Sequence, residues 1–238
     1  MEKITRFFIT AMVLSVMMLV TSCIDCIEGD GNMISKTLDV PAFSKIKLNG
    51  DANITLTSDS TALFLIKGEK NILDEYRVEV VNKTLVIKSE HCLRSHEQVT
   101  LQIPYTELES VVINGSGSVY ANETVRSESL DLKINGSGDF ELPVEVQDLT
   151  GSISGSGDLL LKGSAKNLEY TINGSGNIET PDLTSEQCSV TVNGSGDCSV
   201  WATGNLKVKV HGSGDVYYKG NPAIQTDIKG SGSVTKKE

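Results

Sequence analysis

The stretch Leu130-Asp131-Leu132-Lys133-Ile134-Asn135-Gly136-Ser137-Gly138-Asp139-Phe140-Glu141-Leu142 decides the fold. Leu130, Leu132 and Ile134 alternate with polar Asp131 and Lys133, the period-two pattern of a strand with one buried face. The alternation resumes after Asn-Gly-Ser-Gly-Asp with Phe140 and Leu142. The phrase recurs, with variation only at its ends, so that its first glycine falls at 115, 136, 155, 174, 194, 212 and 230. The spacings are 21, 19, 19, 20, 18 and 18 residues, a period that marks a stack of like units.

Each unit reads as strand, Gly-Ser-Gly corner, strand and second turn. Before the corner come triplets such as Leu168, Tyr170 and Ile172, or Cys188, Val190 and Val192; after it come pairs such as Leu159 and Leu161. Pro143, Gly163, Pro181, Gly204 and Gly220-Asn221-Pro222 punctuate the second turn. If the extended parity runs through the corner, both of its glycines face inward. Asn135, Ser137, Asp139 and their equivalents then face outward.

A hairpin meander is suggested by Asn-Gly, and a propeller would need two units per blade. The recurrence of Asn, Ser and Asp at fixed corner positions favours parallel rungs about 4.8 Å apart, in which like residues stack. The expected fold is an all-β, β-helix-like two-sheet solenoid with Gly-Ser-Gly corners, capped by an N-terminal β segment.

Residues 34–105 carry strand-like runs at Ile46–Leu48, Ile54–Leu56, Leu63–Ile66, Val78–Val81, Leu85–Ile87 and Val99–Ile103, with a short helical turn expected over 69–76. Asn49-Gly50 resembles a degenerate corner. Ahead of this segment, Lys3, Arg6, the apolar run 7–20 and Val20-Thr21-Ser22-Cys23 read as a leader with a lipobox. Cys23 is the expected lipidation site. The chain thus divides into a lipoprotein signal peptide (1–22), an anchor linker (23–33), an N-terminal β capping segment (34–105) and a solenoid of seven rungs (106–238). The expected location is the cell envelope, as an outer membrane lipoprotein, with surface exposure suggested by the acidic residues Asp25, Glu28 and Asp30.

The chain carries 21 basic and 31 acidic residues; loss of Glu2, Lys3 and Arg6 with the leader takes the net charge from −10 to −11. Such a field disfavours nucleic acid as a partner. Of the five cysteines, Cys188 and Cys198 fall at core positions, while Cys26 and Cys92 could pair in an oxidising compartment.

The pattern resembles the head GIN domain family of autotransporter-type adhesins. The residues that carry the resemblance are Pro41-Ala42-Phe43-Ser44-Lys45-Ile46-Lys47-Leu48-Asn49-Gly50, Lys83-Thr84-Leu85-Val86-Ile87 and the Gly-Ser-Gly series, over about 34–234. The resemblance implies a two-sheet β superhelix, no catalytic residues and a role in adhesion.

Three surfaces are candidates for function. Asp139, Asp158, Asp197 and Asp215 form an outer column in which carboxylates one rung apart could share Ca²⁺, or could instead hydrogen-bond the corner backbone as a ladder. Trp201 and Tyr217 could form a sugar-stacking platform, or Trp201 could instead cover the sheet edge; His211, at a corner position where Asn is usual, departs from the repeat and joins them as a candidate ligand surface. Tyr218 is expected to face inward. His91, Cys92 and His96 lack a fourth ligand for a soft metal and read as a solvated loop. Enzyme chemistry is not expected. The hydrolase elbow Gly-x-Ser-x-Gly is absent, there are three histidines, and no arginine follows Arg126. No cofactor or resident metal is expected. The reading is a non-enzymatic adhesin that presents an extended surface to host or matrix glycans or proteins and meets the membrane through its lipid anchor. The alternatives are a structural or accessory envelope lipoprotein and a divergent polysaccharide-active enzyme. Nothing in the sequence gives an oligomeric state.

Overall fold

The computed structural model describes residues 26–59 and 61–237; the leader and Cys23 lie outside the described residues. Among the described residues, nineteen strands and one short helix follow in order. The N-terminal part comprises β1 (Ile27–Glu28), β2 (Met33–Thr37), β3 (Lys45–Gly50), β4 (Asn53–Thr57), β5 (Leu65–Glu69), α1 (Lys70–Asp74), β6 (Tyr76–Val81), β7 (Thr84–Ser89), β8 (Leu93–Arg94) and β9 (Thr100–Pro104). The stack continues through β10 (Ser110–Gly115), β11 (Val119–Ala121), β12 (Val125–Gly136), β13 (Phe140–Gly155), β14 (Leu159–Gly174), β15 (Ile178–Gly194) and β16 (Cys198–Gly212). It ends with β17 (Val216–Lys219), β18 (Ala223–Gly230) and β19 (Val234–Lys236).

From β10 onward every pairing is parallel, and like residues sit on like residues. Gly136 pairs with Gly155, Gly155 with Gly174, Gly174 with Gly194 and Gly194 with Gly212. The meander and the propeller are thereby excluded, and the β-solenoid is the observed architecture. Inward positions of the inner rungs are buried: Leu130, Leu132, Ile134, Phe140 and Leu142 in one, Tyr170 and Ile172 in another. Such continuous burial of aliphatic side chains is the main favourable contribution to folding. Gly151 breaks the aliphatic series for a steric reason. A side chain there would meet the Tyr170 ring, which takes the space.

The second turn differs from the sequence reading. Pro143, Gly163 and Pro181 lie inside continuous strands of 16, 16 and 17 residues. In a solenoid the ladder runs between rungs, so a chain can change direction without breaking it. The ladder skips Gln147 and Lys166 at the bend, slips at Thr180-Pro181 against Leu160 and Lys162, and shifts register against the next rung between Glu179 and Thr184 and between Ser185 and Gln187. Gly220-Asn221-Pro222 does interrupt the strand.

The corner glycines also differ from the parity argument. The second of each pair, Gly138, Gly157 and Gly176, is buried, but the first, Gly136, Gly155 and Gly174, is only partly so. Both are glycine because of the neighbour below. A Cβ at Gly174 would overlap the carbonyl oxygen of Gly155, and one at Gly176 that of Gly157. The Gly155 carbonyl also accepts the Ser175 N–H at 2.9 Å, which keeps the rungs close.

The stack extends below residue 106. β3 and β4 pair in parallel with β10 and β11, and Gly50 lies under Gly115 as a true corner at φ +143°. β7 and β9 form a further partial rung beneath. Antiparallel strands then close this end: β2 and β9 flank β5, and β6 folds back on β7 through Asn82-Lys83, both at positive φ. Residues 26–33, expected within the anchor linker, are tied to this cap. Cys26 is bonded to Cys92 with Cα atoms 4.5 Å apart, β1 pairs with β8, and the buried Glu69 carboxylate accepts the Gly31 N–H at 2.5 Å and the Glu97 N–H at 2.9 Å.

Candidate functional site

The corner edge presents two polar columns. Asn114 donates to Asn49 at 2.7 Å, Asn135 to Asn114 at 2.8 Å and Asn193 to Asn173 at 2.9 Å. Ser154 interrupts this ladder. His211 stands over Asn193 in register, exposed, as an outer substitution in the same column.

The second column contains the four aspartates. The Asp158 N–H donates to Asp139 at 3.0 Å, Asn177 to Asp158 at 3.0 Å, Asp197 to Asn177 at 3.0 Å, Asp215 to Asp197 at 2.7 Å and Ser233 to Asp215 at 2.8 Å. Asn53 starts the column by accepting the Ser118 N–H at 3.1 Å. Each side chain thus takes up a corner N–H that faces the rung beneath it. Among the described residues, no three His, Cys, Asp or Glu side chains converge as a metal site.

Asp215 has the most donors. The Ser233 hydroxyl and N–H hold its carboxyl below the usual Asp value of 3.8. A depressed value means that the folded state favours the anion. The contribution of this contact is therefore complete above pH 3.8 and is lost as the pH falls through the lower folded value. The Ser233 amide resonance is expected to titrate with a midpoint below 3.8, and Asp215→Asn should abolish the transition. A midpoint at or above that value contradicts the assignment.

Trp201 and Tyr217 lie on neighbouring rungs, outward and half-buried, with Tyr217 in register with Ser199 two residues before Trp201. Lys219 lies over the Trp201 ring at 5.9 Å, and Lys237 over the Tyr217 ring at 3.5 Å. The Tyr217 hydroxyl donates to Asp215 at 3.4 Å. Tyr218 packs against the core, as its parity requires. Trp201 and Tyr217 are thus gathered on one flank with lysines at hand. His211 belongs to the corner column.

The histidine–cysteine group does not assemble. Cys92 is bonded to Cys26, and His91 faces Glu75 at 2.5 Å. His96 is not a solvated loop residue: its ring is buried and lies 3.4 Å from Asp51. Cys188 and Cys198 are buried free thiols, and burial pushes Cys188 up to about 12, which keeps it protonated and inert at neutral pH.

A groove along the bend was missed by the sequence reading. Its volume is about 660 Å³ and it crosses five rungs. One wall is the column Asp148, Asn167, Gln187 and Asn205, and the floor is the apolar edge of Leu149, Leu168 and Leu206. Asn167 donates to Asp148 at 2.7 Å and Asn205 to Gln187 at 2.9 Å. The signal was present in the sequence. Each of these residues lies seven positions before its corner glycine.

The residues 42–222 match the family model described as "Putative auto-transporter adhesin, head GIN domain". Among solved structures, a putative adhesin from Bacteroides fragilis is 26% identical, with 89% of this chain and 100% of that one covered and a TM-score of 0.82. A putative adhesin from Parabacteroides distasonis is 28% identical over 90% of this chain and 100% of its own, with a TM-score of 0.71. A putative lipid binding protein from the same species is 25% identical over the same shares, with a TM-score of 0.77. No curated protein matches the chain. The family match, three-quarters of the chain long and laid over the stack just described, shows that this protein belongs to the head GIN domain family.

Proposed function

We propose that this protein is a non-enzymatic adhesin, lipid-anchored through Cys23 in the outer membrane, that presents its solenoid flank to host or matrix glycans or proteins. The observation that carries this reading is the continuous flank. Polar side chains repeat along it at one-rung spacing, beside a groove about 660 Å³ in volume. A repetitive, rigid, extended surface suits a repetitive or extended ligand. The solved relatives described as adhesins support the reading. The anchor agrees with the architecture. Residues 26–37 enter at the capped end, three residues after Cys23, so the last rung would stand farthest from the membrane.

Probing the mature protein against glycan and matrix-protein arrays tests the proposal. Binding is expected, and Trp201→Ala with Tyr217→Ala, or Gln187→Ala with Asn205→Ala, should reduce it by about tenfold or more while the melting temperature changes little. Loss of binding in the first pair places the ligand on the aromatic flank, and in the second in the groove. Absence of binding on both arrays contradicts the adhesin and favours a structural envelope lipoprotein.

A further inference from the structure

The two ends of the stack are built differently. The N-terminal end is closed by antiparallel strands and the Cys26–Cys92 bond. At the other end, among the described residues, β18 pairs only with β16, and β19 only with β17. Ile224 occupies the column of Leu206, and Ile228 that of Val210. Leu206 and Val210 are 1% and 0% exposed, whereas Ile224 and Ile228 are 43% and 41% exposed. All eight residues of β18 are exposed. The last rung therefore offers an unpaired strand edge and an uncovered strip of core, which one more strand would satisfy together.

Charge selects the occupant. Residues 106–186 carry 14 acidic and 4 basic side chains, whereas residues 198–238 carry 3 acidic and 6 basic ones, with Asp227 the one acid on β18. An acidic molecule thus ends in a basic rim, with Lys229, Lys236 and Lys237 around the open rung. Two copies placed end to end would bring these lysines together, and like charges across an interface disfavour the pairing. An acidic segment would instead be attracted.

We infer that the last rung is a strand-addition site for an acidic, extended segment of another protein. Backbone hydrogen bonds to β18 supply the pairing, alternate apolar side chains cover Ile224 and Ile228, and outward acidic side chains meet the lysine rim. This site adjoins the flank proposed for adhesion: Ala223, Ile224 and Gln225 also line the far end of the groove, whereas Ile228 does not.

The probe is a synthetic peptide of one rung's length with valine at inward positions, glutamate at outward positions and a central Gly-Ser-Gly. The mature protein is expected to bind it, with slower hydrogen exchange across 223–230 and weaker binding as salt rises. The same peptide with lysine for glutamate should bind at least about tenfold more weakly. The Ile224→Lys, Ile228→Lys double variant should lose the interaction to a similar degree. Leu160→Lys, on the flank and 38% exposed, should not. Melting temperatures of the variants identify any that fail to fold. Equal binding of both peptides, or no binding of the glutamate peptide to well-folded protein, overturns the inference. So does polyglutamate binding as tightly as the patterned peptide, since charge alone would then suffice. A dimer in light scattering that the double variant dissociates also overturns it, with a second copy as the occupant.

Discussion

Gly174→Ala is expected to cost about 4 kcal/mol or more, enough to lower the melting temperature by many degrees or prevent folding. Two effects combine. Gly174 sits at φ +139°, where an L side chain is strained, and a Cβ there would overlap the Gly155 carbonyl oxygen. That oxygen belongs to backbone fixed in the ladder by the Ser175 N–H, so it cannot move aside without breaking the pairing of the rungs. Gly50→Ala separates the two effects. Gly50 has φ +143°, but no atom lies within 4 Å of an added Cβ, because the partial rung below contributes no corner. Its cost should stay near 1–3 kcal/mol, the strain alone. Equal losses at the two sites, measured by urea denaturation, would mean that rung contact contributes nothing.

Breaking the Cys26–Cys92 bond is the second large perturbation. The bridge closes a loop of 66 residues, for which the chain-entropy model gives about 4 kcal/mol. Cys92→Ser should lower the midpoint of thermal unfolding and increase hydrogen exchange first in β1, β2 and α1, which the bridge and Glu69 hold against the cap. The long rungs, whose ladders do not involve this segment, should keep their protection until global unfolding. Titration of the denatured, unreduced mature protein should find two free thiols, Cys188 and Cys198. Four thiols would show that the bridge is absent.

The rungs were legible because each one repeats the same steric problem. The inward triplets are aliphatic or aromatic, and the corner glycines recur wherever a Cβ would strike the rung below. Parity located the strands but misassigned the first glycine, because its missing Cβ points along the stack and not into the core. The second turn was over-read. Pro143 looks like a breaker only if the chain must pair with itself, whereas here its partners lie above and below; Pro181 does mark a shift of register, though not the end of its strand. The Cys26–Cys92 pairing remained open in the sequence, since nothing local brings residues 66 apart together; the strap over Glu69 does so. The groove wall at Asp148, Asn167, Gln187 and Asn205 was written at constant spacing, yet variation between acid and amide masked it. The basic end was diluted by the acidic total.

Adhesion requires that the molecule be held at its capped end and displayed outward. The direct measurement is to treat intact cells with a membrane-impermeant amine reagent and map the labelled lysines by mass spectrometry. Display predicts labelling of Lys229, Lys236 and Lys237 before any breach of the outer membrane. Labelling of these lysines only after the membrane is opened would contradict it.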